Sequence, residues 1–378
     1  MRTDASAVNA GNQPADSYPG AVALQCACGR ALAMSGDSIV CVCGRHLGAR
    51  GGGVWRVGQP AAYWGELLSE QLEDLLAMSR RLGWRRAVEK LTPELTGYLA
   101  DPRRAAFMDI LPALPGSRIL ELGAGLGAIA SALAREFDVT ALEGVELRAE
   151  FMALRAAQDG LERLRVIRAD WHRIRFAPRQ FHAIILNGVL EWAAIGDRVG
   201  SPRQAQIRFL RRVRDWLAPR GTIYLAIENR FGWPELRGAV DHSGLPYTSL
   251  LPRWLAQWIC ALWSPYRSST NRGYRTYTYS HAGYCRLVRE AGLAVRQTYI
   301  CPLGYNLPLD LMPLHAGALR FQKANRQRAA SWPLAAWRSQ LAWPWLYRLA
   351  GGDFAFFLTQ AEARTPTAGF PGQDSDGA

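Results

Sequence analysis

Arg118-Ile-Leu-Glu-Leu-Gly-Ala-Gly-Leu-Gly-Ala-Ile-Ala130 decides the fold. An apolar run, Ile119-Leu120, leads into Glu121, and glycines then fall at alternate positions, Gly123, Gly125 and Gly127. A helix-forming run follows, from Ala128 to Glu136. That order predicts a strand, a tight turn and a helix. Glycine serves where the backbone must bend sharply and let a ligand approach with no Cβ in the way. The helix N-terminus then offers free N–H groups and the positive end of its dipole, a seat for a carboxylate.

Beyond this turn, strand and helix alternate regularly, which predicts a parallel sheet. Residues 138–143 read as a second strand ending in Glu143, sixteen residues past Gly127, with Gly144 next. An acid at that place can accept hydrogen bonds from both hydroxyls of a ribose. A helix over residues 146–158 leads to a third strand, 164–170, ending in Asp170 before Trp171. A fourth strand begins at Phe181 and runs into the polar bend Asn187-Gly188-Val189-Leu190-Glu191-Trp192. Residues 204–218 read as an amphipathic helix, 221–228 as a fifth strand, 295–301 as a sixth and 353–358 as the last.

The glycine turn resembles the first motif of the class I S-adenosylmethionine-dependent methyltransferases. Dinucleotide-binding Rossmann proteins share such glycines, but they want the third one three residues past the second, as in Gly-x-Gly-x-x-Gly, where helix packs on strand. The resemblance implies an α/β, Rossmann-like seven-stranded sheet, its last strand antiparallel between the fifth and sixth. It implies S-adenosyl-L-methionine as cofactor, held by Glu121, Gly123, Ala124, Gly125 and Gly127. Glu143 and Gly144 would lie at the ribose, Asp170 and Trp171 at the adenine, and Asn187 and Gly188 beside the sulfonium. Trp171 is equally readable as a core aromatic. Val189-Leu190-Glu191-Trp192 is similar to the Val-Leu-Glu-His segment of small-molecule methyltransferases. It is less like the Asn/Asp-Pro-Pro-Tyr segment of those that act on bases and glutamine.

Glu228-Asn229-Arg230 and Asp241-His242-Ser243-Gly244 resemble motifs of a bacterial methyltransferase group often encoded with surface-polysaccharide enzymes. The segment 229–279 is long for a connection and predicts an inserted lid or substrate platform after the fifth strand. His242 is the candidate base, with Asp241 or Glu228 to orient it; Asn229 and Arg230 are candidates for binding substrate oxygens or a phosphate. The competing reading is that Asp241-His242 only closes a turn.

Upstream, Cys26-Ala-Cys28-Gly and Cys41-Val-Cys43-Gly are two knuckles separated by twelve residues. Clustered cysteines in a reducing compartment suggest metal before disulfide, and four thiolates suit structural zinc in a segment too short for a core. Residues 21–58 resemble the zinc-ribbon-like domain ahead of many bacterial methyltransferases, although the family usually has Cys-x-x-Cys. Cys260, Cys285 and Cys301 show no metal spacing. The expected organisation is a disordered 1–20, the ribbon-like 21–58, a helical cap over 61–113, a methyltransferase domain over 114–362 with the insert 229–279, and a disordered tail 363–378.

A formal charge of +13 invites a nucleic-acid reading. All but two of the 45 cationic residues are arginine, the exceptions being Lys90 and Lys323, and they are scattered among acids. This argues for a biased composition rather than a basic patch. The opening residues have no apolar signal segment and no run of about 20 apolar residues occurs, so a cytoplasmic protein is expected. Tryptophans at 254, 258 and 263, and again at 332, 337, 343 and 345, fit either packing of the insert or peripheral contact with the inner membrane. Three readings remain: a methyltransferase acting on oxygen or nitrogen of a sugar, glycolipid precursor or small metabolite; an RNA methyltransferase; and a cofactor-fold scaffold without catalysis.

Overall fold

The computed structural model describes residues 22–30, 32–35, 37–60, 67–197, 199–264, 273–308, 310–321 and 348–361. The segments 1–20 and 363–378 and the second tryptophan group lie outside these residues.

Four short strands come first: β1 (Leu32–Ser35), β2 (Ser38–Cys41), β3 (His46–Gly51) and β4 (Val54–Val57). Three helices follow, α1 (Ser69–Leu82), α2 (Trp84–Leu91) and α3 (Pro93–Ala100), then a 3₁₀ helix over Pro102–Ile110. The alternating region is β5 (Arg118–Leu122), α4 (Ala128–Leu133), β6 (Asp138–Glu143), α5 (Glu146–Gln158), β7 (Leu164–Ala169) and β8 (Phe181–Asn187). It continues with α6 (Ala193–Gly196), α7 (Pro202–Trp216) and β9 (Leu217–Ile227). The insert carries α8 (Trp233–Leu236) and α9 (Arg253–Trp263). The chain then closes with α10 (His281–Glu290), β10 (Leu293–Cys301), β11 (Met312–Pro313) and β12 (Asp353–Gln360).

These strands make one mixed sheet in the order β1-β2-β3-β4-β7-β6-β5-β8-β9-β12-β10-β11. The strands read from the sequence sit together in its middle, from β7 to β10, and β12 lies antiparallel between β9 and β10. The sheet has twelve strands where seven were expected, because it grows at both edges. The cysteine-bearing hairpins do not form a detached ribbon. β4 pairs in parallel with β7, Val54 opposite Val166, and the main chain of Ala23 bonds both polar atoms of the Gln180 amide. Arg56 ties this unit to Glu146 and Glu150 on α5. A parallel sheet edge is thereby paired rather than left open.

β5 and β8 are buried on both faces for most of their length, as central parallel strands are. Helices cover both sides. α7 starts at a capping box, Ser201 with Gln204, and leads without a loop into β9, which therefore begins earlier than the predicted 221. The α1–α3 group packs Leu75, Leu76, Trp84, Val88 and Leu99 against Ala128 and Phe151. It also walls the site, as described below. The insert has a small core of its own, Ala256, Cys260 and Tyr274, while α9 leaves Trp254, Trp258 and Trp263 exposed. Among the described residues no helix is long and apolar enough to cross a membrane.

Candidate functional site

The glycine turn between β5 and α4 places Gly123, Gly125 and Gly127 at φ of 67°, 57° and 76°, conformations that side chains resist. Their surroundings differ. A Cβ on Gly123 would meet the Val189 side chain at 2.9 Å and Trp171 at 3.1 Å, and one on Gly127 would meet Met152 at 2.6 Å. Gly125 has nothing within 4 Å, because it opens on a cavity. Glu143, at the end of β6, braces the turn. One carboxylate oxygen accepts the Gly125 N–H at 2.7 Å, and the other accepts those of Gly144 and Val145, both at 2.9 Å.

The cavity measures about 280 Å³ and lies above the C-terminal strand ends. Gly125, Glu121 and Asn187 line it on the sheet side, and Glu228, His242 and Tyr305 on the far side. Leu95, Tyr98 and Leu99 of α3, with Arg104, close a third wall. Three buried acceptor oxygens on its lining residues have no hydrogen-bond partner, Glu121 Oε2, Asn187 Oδ1 and Glu228 Oε2. Burial pushes the Glu121 carboxyl up to about 8, against the opposing pull of Arg104. Such orphan acceptors call for a donor or a cation.

Across the cavity, His242 Nε2 lies 2.9 Å from Glu228 Oε1 and 3.6 Å from Glu191 Oε1. Tyr305 sends its hydroxyl to the same Glu228 oxygen at 3.2 Å. It reaches that place because Gly188 has no side chain: a Cβ there would stand 2.5 Å from the Tyr305 hydroxyl. The Trp192 ring stacks obliquely on His242 with centroids 4.7 Å apart. Burial alone would lower the His242 pKa, but the Glu228 and Glu191 carboxylates outweigh it and push it up to about 11. Burial, then the Glu228 charge, pushes Glu191 up to about 7. Burial would raise Glu228 too, yet the adjacent imidazole holds it below the usual carboxylate value.

Several residues read from the sequence stand elsewhere. Asp241 is not the partner of His242. Its carboxylate accepts from Ser243 N–H at 2.7 Å and Thr248 Oγ1 at 2.6 Å, which closes the turn that carries His242. Asn229 is wholly buried and spends its amide on the fold, accepting from Phe231 N–H and donating to Leu349 O. Arg230 reaches the carbonyls of Ser249 and Leu251 and so pins the insert, with no contact to the cavity. Asp170 caps its own turn by accepting the His172 N–H at 2.8 Å. Trp171 packs against the core beside Gly123. Gly127, Glu143, Gly144, Asp170 and Trp171, read from the sequence as cofactor-binding, do not line this cavity, whereas Glu121, Gly123, Ala124, Gly125, Asn187 and Gly188 do. Tyr98, Arg104 and Tyr305 were missed, since nothing in their local sequence marks them. Glu191 stood in the quoted Val-Leu-Glu-Trp segment, but only the fold turns it toward His242.

At the sheet edge, the four sulfurs of Cys26, Cys28, Cys41 and Cys43 lie within 4.8 Å of one another. Both knuckles share one turn. Cys26 N–H bonds Arg30 O and Cys41 N–H bonds Arg45 O, each at 2.9 Å, with Gly29 and Gly44 at positive φ. Sulfur separations of 3.5 and 3.8 Å match the edge of a tetrahedron with ~2.3 Å zinc–sulfur bonds, about 3.8 Å.

Residues 119–221 match the family model of a methyltransferase domain. The ribosomal RNA small subunit methyltransferase C of Pseudomonas aeruginosa strain LESB58 is 32% identical over 139 residues, which are 36% of this chain and 40% of that protein. The enzyme of strain UCBPP-PA14 matches over the same length and with the same identity. The chain thus spans about two fifths of the length of the curated relatives it matches. Among solved structures, Haemonchus contortus phosphoethanolamine N-methyltransferase 2 is 12% identical with a TM-score of 0.41, covering 79% of this chain and 61% of its own. A Leishmania major S-adenosylmethionine-dependent methyltransferase is 20% identical with a TM-score of 0.38, covering 64% and 80%.

Proposed function

We propose that this chain, through the methyltransferase domain over residues 119–221, transfers the methyl group of S-adenosylmethionine to an oxygen or nitrogen of a small acceptor, such as a sugar, a glycolipid precursor or another small metabolite. One observation carries this reading: the glycine turn and the His242–Glu228 pair line opposite sides of the same cavity. The residues fit the cofactor, because Gly125 leaves open the space a side chain would fill and Glu121 offers an orphan acid to a cation. S-adenosylmethionine supplies an activated methyl group on a sulfonium. Gly123 and Gly125 let the backbone approach it, and Glu143 holds the turn in place through the three N–H groups it binds. α3 and Tyr305 wall off water, and since His242 is already held as an imidazolium, Glu191, raised to about 7 beside it, is the group of the cluster able to receive the proton an acceptor gives up. The four cysteines would hold zinc as a structural brace of the sheet edge.

RNA methylation is the second reading. The curated relatives favour it by name and the +13 charge is compatible with it. The walls on three sides of the cavity favour an acceptor small enough to enter whole.

Transfer of labelled methyl groups into fractionated cell extract separates the two: label in the lipid or small-molecule fraction supports the first, and label in RNA replaces it with the second. The cofactor side is tested by Gly125→Val, whose added bulk points into open space. The strained φ should cost about 1–3 kcal/mol of stability, while cofactor affinity by calorimetry falls about 100-fold or more, which is about 2.7 kcal/mol. Unchanged affinity would refute the cavity.

A further inference from the structure

His242 Nε2 is approached by two carboxylates at once. A ring nitrogen carries at most one hydrogen. Glu228 Oε1, at 2.9 Å, is placed to take it. Glu191 is left at 3.6 Å, within ion-pair reach of the ring but beyond hydrogen-bond length, with no exposed surface and no hydrogen-bond donor on either oxygen. Glu228 Oε2 is a third buried orphan oxygen in the same cluster. An acid wholly removed from water and given no donor is costly. Its position is explained if something other than a hydrogen sits among the three groups.

We propose that Glu191, Glu228 and His242 are the ligands of a divalent cation of the manganese, iron or zinc kind. The inference rests on the methyltransferase reading only for what the ion would do there. Bonds of about 2.1 Å put neighbouring ligands about 3.0 Å apart in an octahedron and about 3.4 Å apart in a tetrahedron. The two separations from Nε2, 2.9 and 3.6 Å, bracket these edges, and all three ligand atoms lie within 4.8 Å of one another. Two carboxylates and a neutral imidazole carry two negative charges, which a divalent ion balances, and this donor set suits those metals rather than soft ones. Tyr305, on Glu228 Oε1, supplies the outer hydrogen bond that holds a ligating carboxylate in place. The ring of Trp192 braces His242 from one side.

Glu228 and His242 line the cavity, so the ion's remaining positions face the place of the acceptor. The acceptor class that fits is a hydroxyl, alone or with a neighbouring oxygen. A divalent ion lowers the pKa of an oxygen it binds, which makes a hydroxyl a competent nucleophile at neutral pH. Oxygen rather than nitrogen is then the methylated atom.

Titration of the full chain with Mn²⁺, followed by calorimetry and by the electron-spin signal of free Mn²⁺, tests this. Manganese leaves the thiolates to softer metals. One Mn²⁺ per chain is expected, with affinity reduced roughly 100-fold in Glu191→Gln, which keeps shape and volume, and abolished in His242→Ala. Melting curves and S-adenosylmethionine binding are recorded on the same samples. No Mn²⁺ uptake at millimolar concentration in protein that binds the cofactor, or uptake indifferent to both variants, overturns the metal site and leaves an imidazolium held between two glutamates. Loss of cofactor binding in the unaltered protein would sink the methyltransferase reading instead, whatever the metal does.

Discussion

Two clusters of metal-ligating residue types in this molecule are alike in size and opposite in origin. Each gathers its donor atoms within 4.8 Å. The cysteine cluster comes from one short stretch, Cys26 to Cys43, in which two turns of the same geometry point their thiols together. The glutamate–histidine cluster comes from three places: the bend after β8, the end of β9 and the insert. Register brings its acids together. β8 and β9 are parallel neighbours, Asn187 opposite Ala226, so the segments that leave their C-terminal ends emerge side by side. Local turns write a site into the sequence; a sheet assembles one that no short motif reveals.

The contrast implies a division of labour, with the cysteines serving the fold and the second cluster serving the chemistry. The largest effect should follow from Cys26→Ala. Cys26 is buried, and its loss removes one thiolate from a unit on which β4 and its pairing with β7 depend. Zinc content should fall and urea unfolding should show a loss of about 3 kcal/mol or more. Glu191→Gln should leave urea stability within about 1 kcal/mol, since the desolvation it relieves offsets the ion pair with His242 that it removes. Equal losses in both variants would break the contrast, and a zinc-free Cys26→Ala as stable as the parent would remove the cysteine half of it.

How much could be read in advance follows the same line. The glycine turn was legible because positive φ at Gly123, Gly125 and Gly127 leaves few residues to choose from. The strands were legible from their two-sided apolar runs, and β12 from Phe354, Ala355, Phe356 and Phe357. The edge extension was not, since β4 is only four residues long and its partner β7 is more than a hundred residues away. Asp241, Asn229 and Arg230 were read as site residues because they are polar and close to strand ends. The structure spends all three on holding the insert, where loop backbone needs partners that no strand provides. Tyr305 could not be found from its own neighbourhood: its place depends on the absent side chain of Gly188.

The cofactor wall can be separated from the acceptor wall by pH. Glu121 is raised from 4.5 to about 8 by burial. Its contribution to folding is therefore full below about pH 4.5 and is lost as pH rises through about 8. A cationic cofactor beside it reverses that cost by favouring the ionised form. S-adenosylmethionine should bind roughly tenfold more tightly at pH 9 than at pH 6, read by calorimetry, with the rise flattened in Glu121→Gln. An affinity independent of pH would detach Glu121 from the cofactor and leave it a buried acid of the fold.

The smallest effect should come from the residue that looked most catalytic in the sequence. Asp241→Asn keeps one acceptor oxygen, for Ser243 N–H, and turns an amide N–H toward Thr248 Oγ1, whose hydroxyl is left to donate to Leu245 O. The turn that carries His242 should loosen at a cost of about 1 kcal/mol. Methyl transfer should then fall by about tenfold or less, with the pH profile unmoved, because Asp241 touches neither His242 nor the cavity. A loss as deep as that of His242→Ala, together with a shifted profile, would put Asp241 in the proton path. The acceptor wall would then extend into the insert, and the chemistry would belong to a motif after all rather than to the meeting of two strand ends.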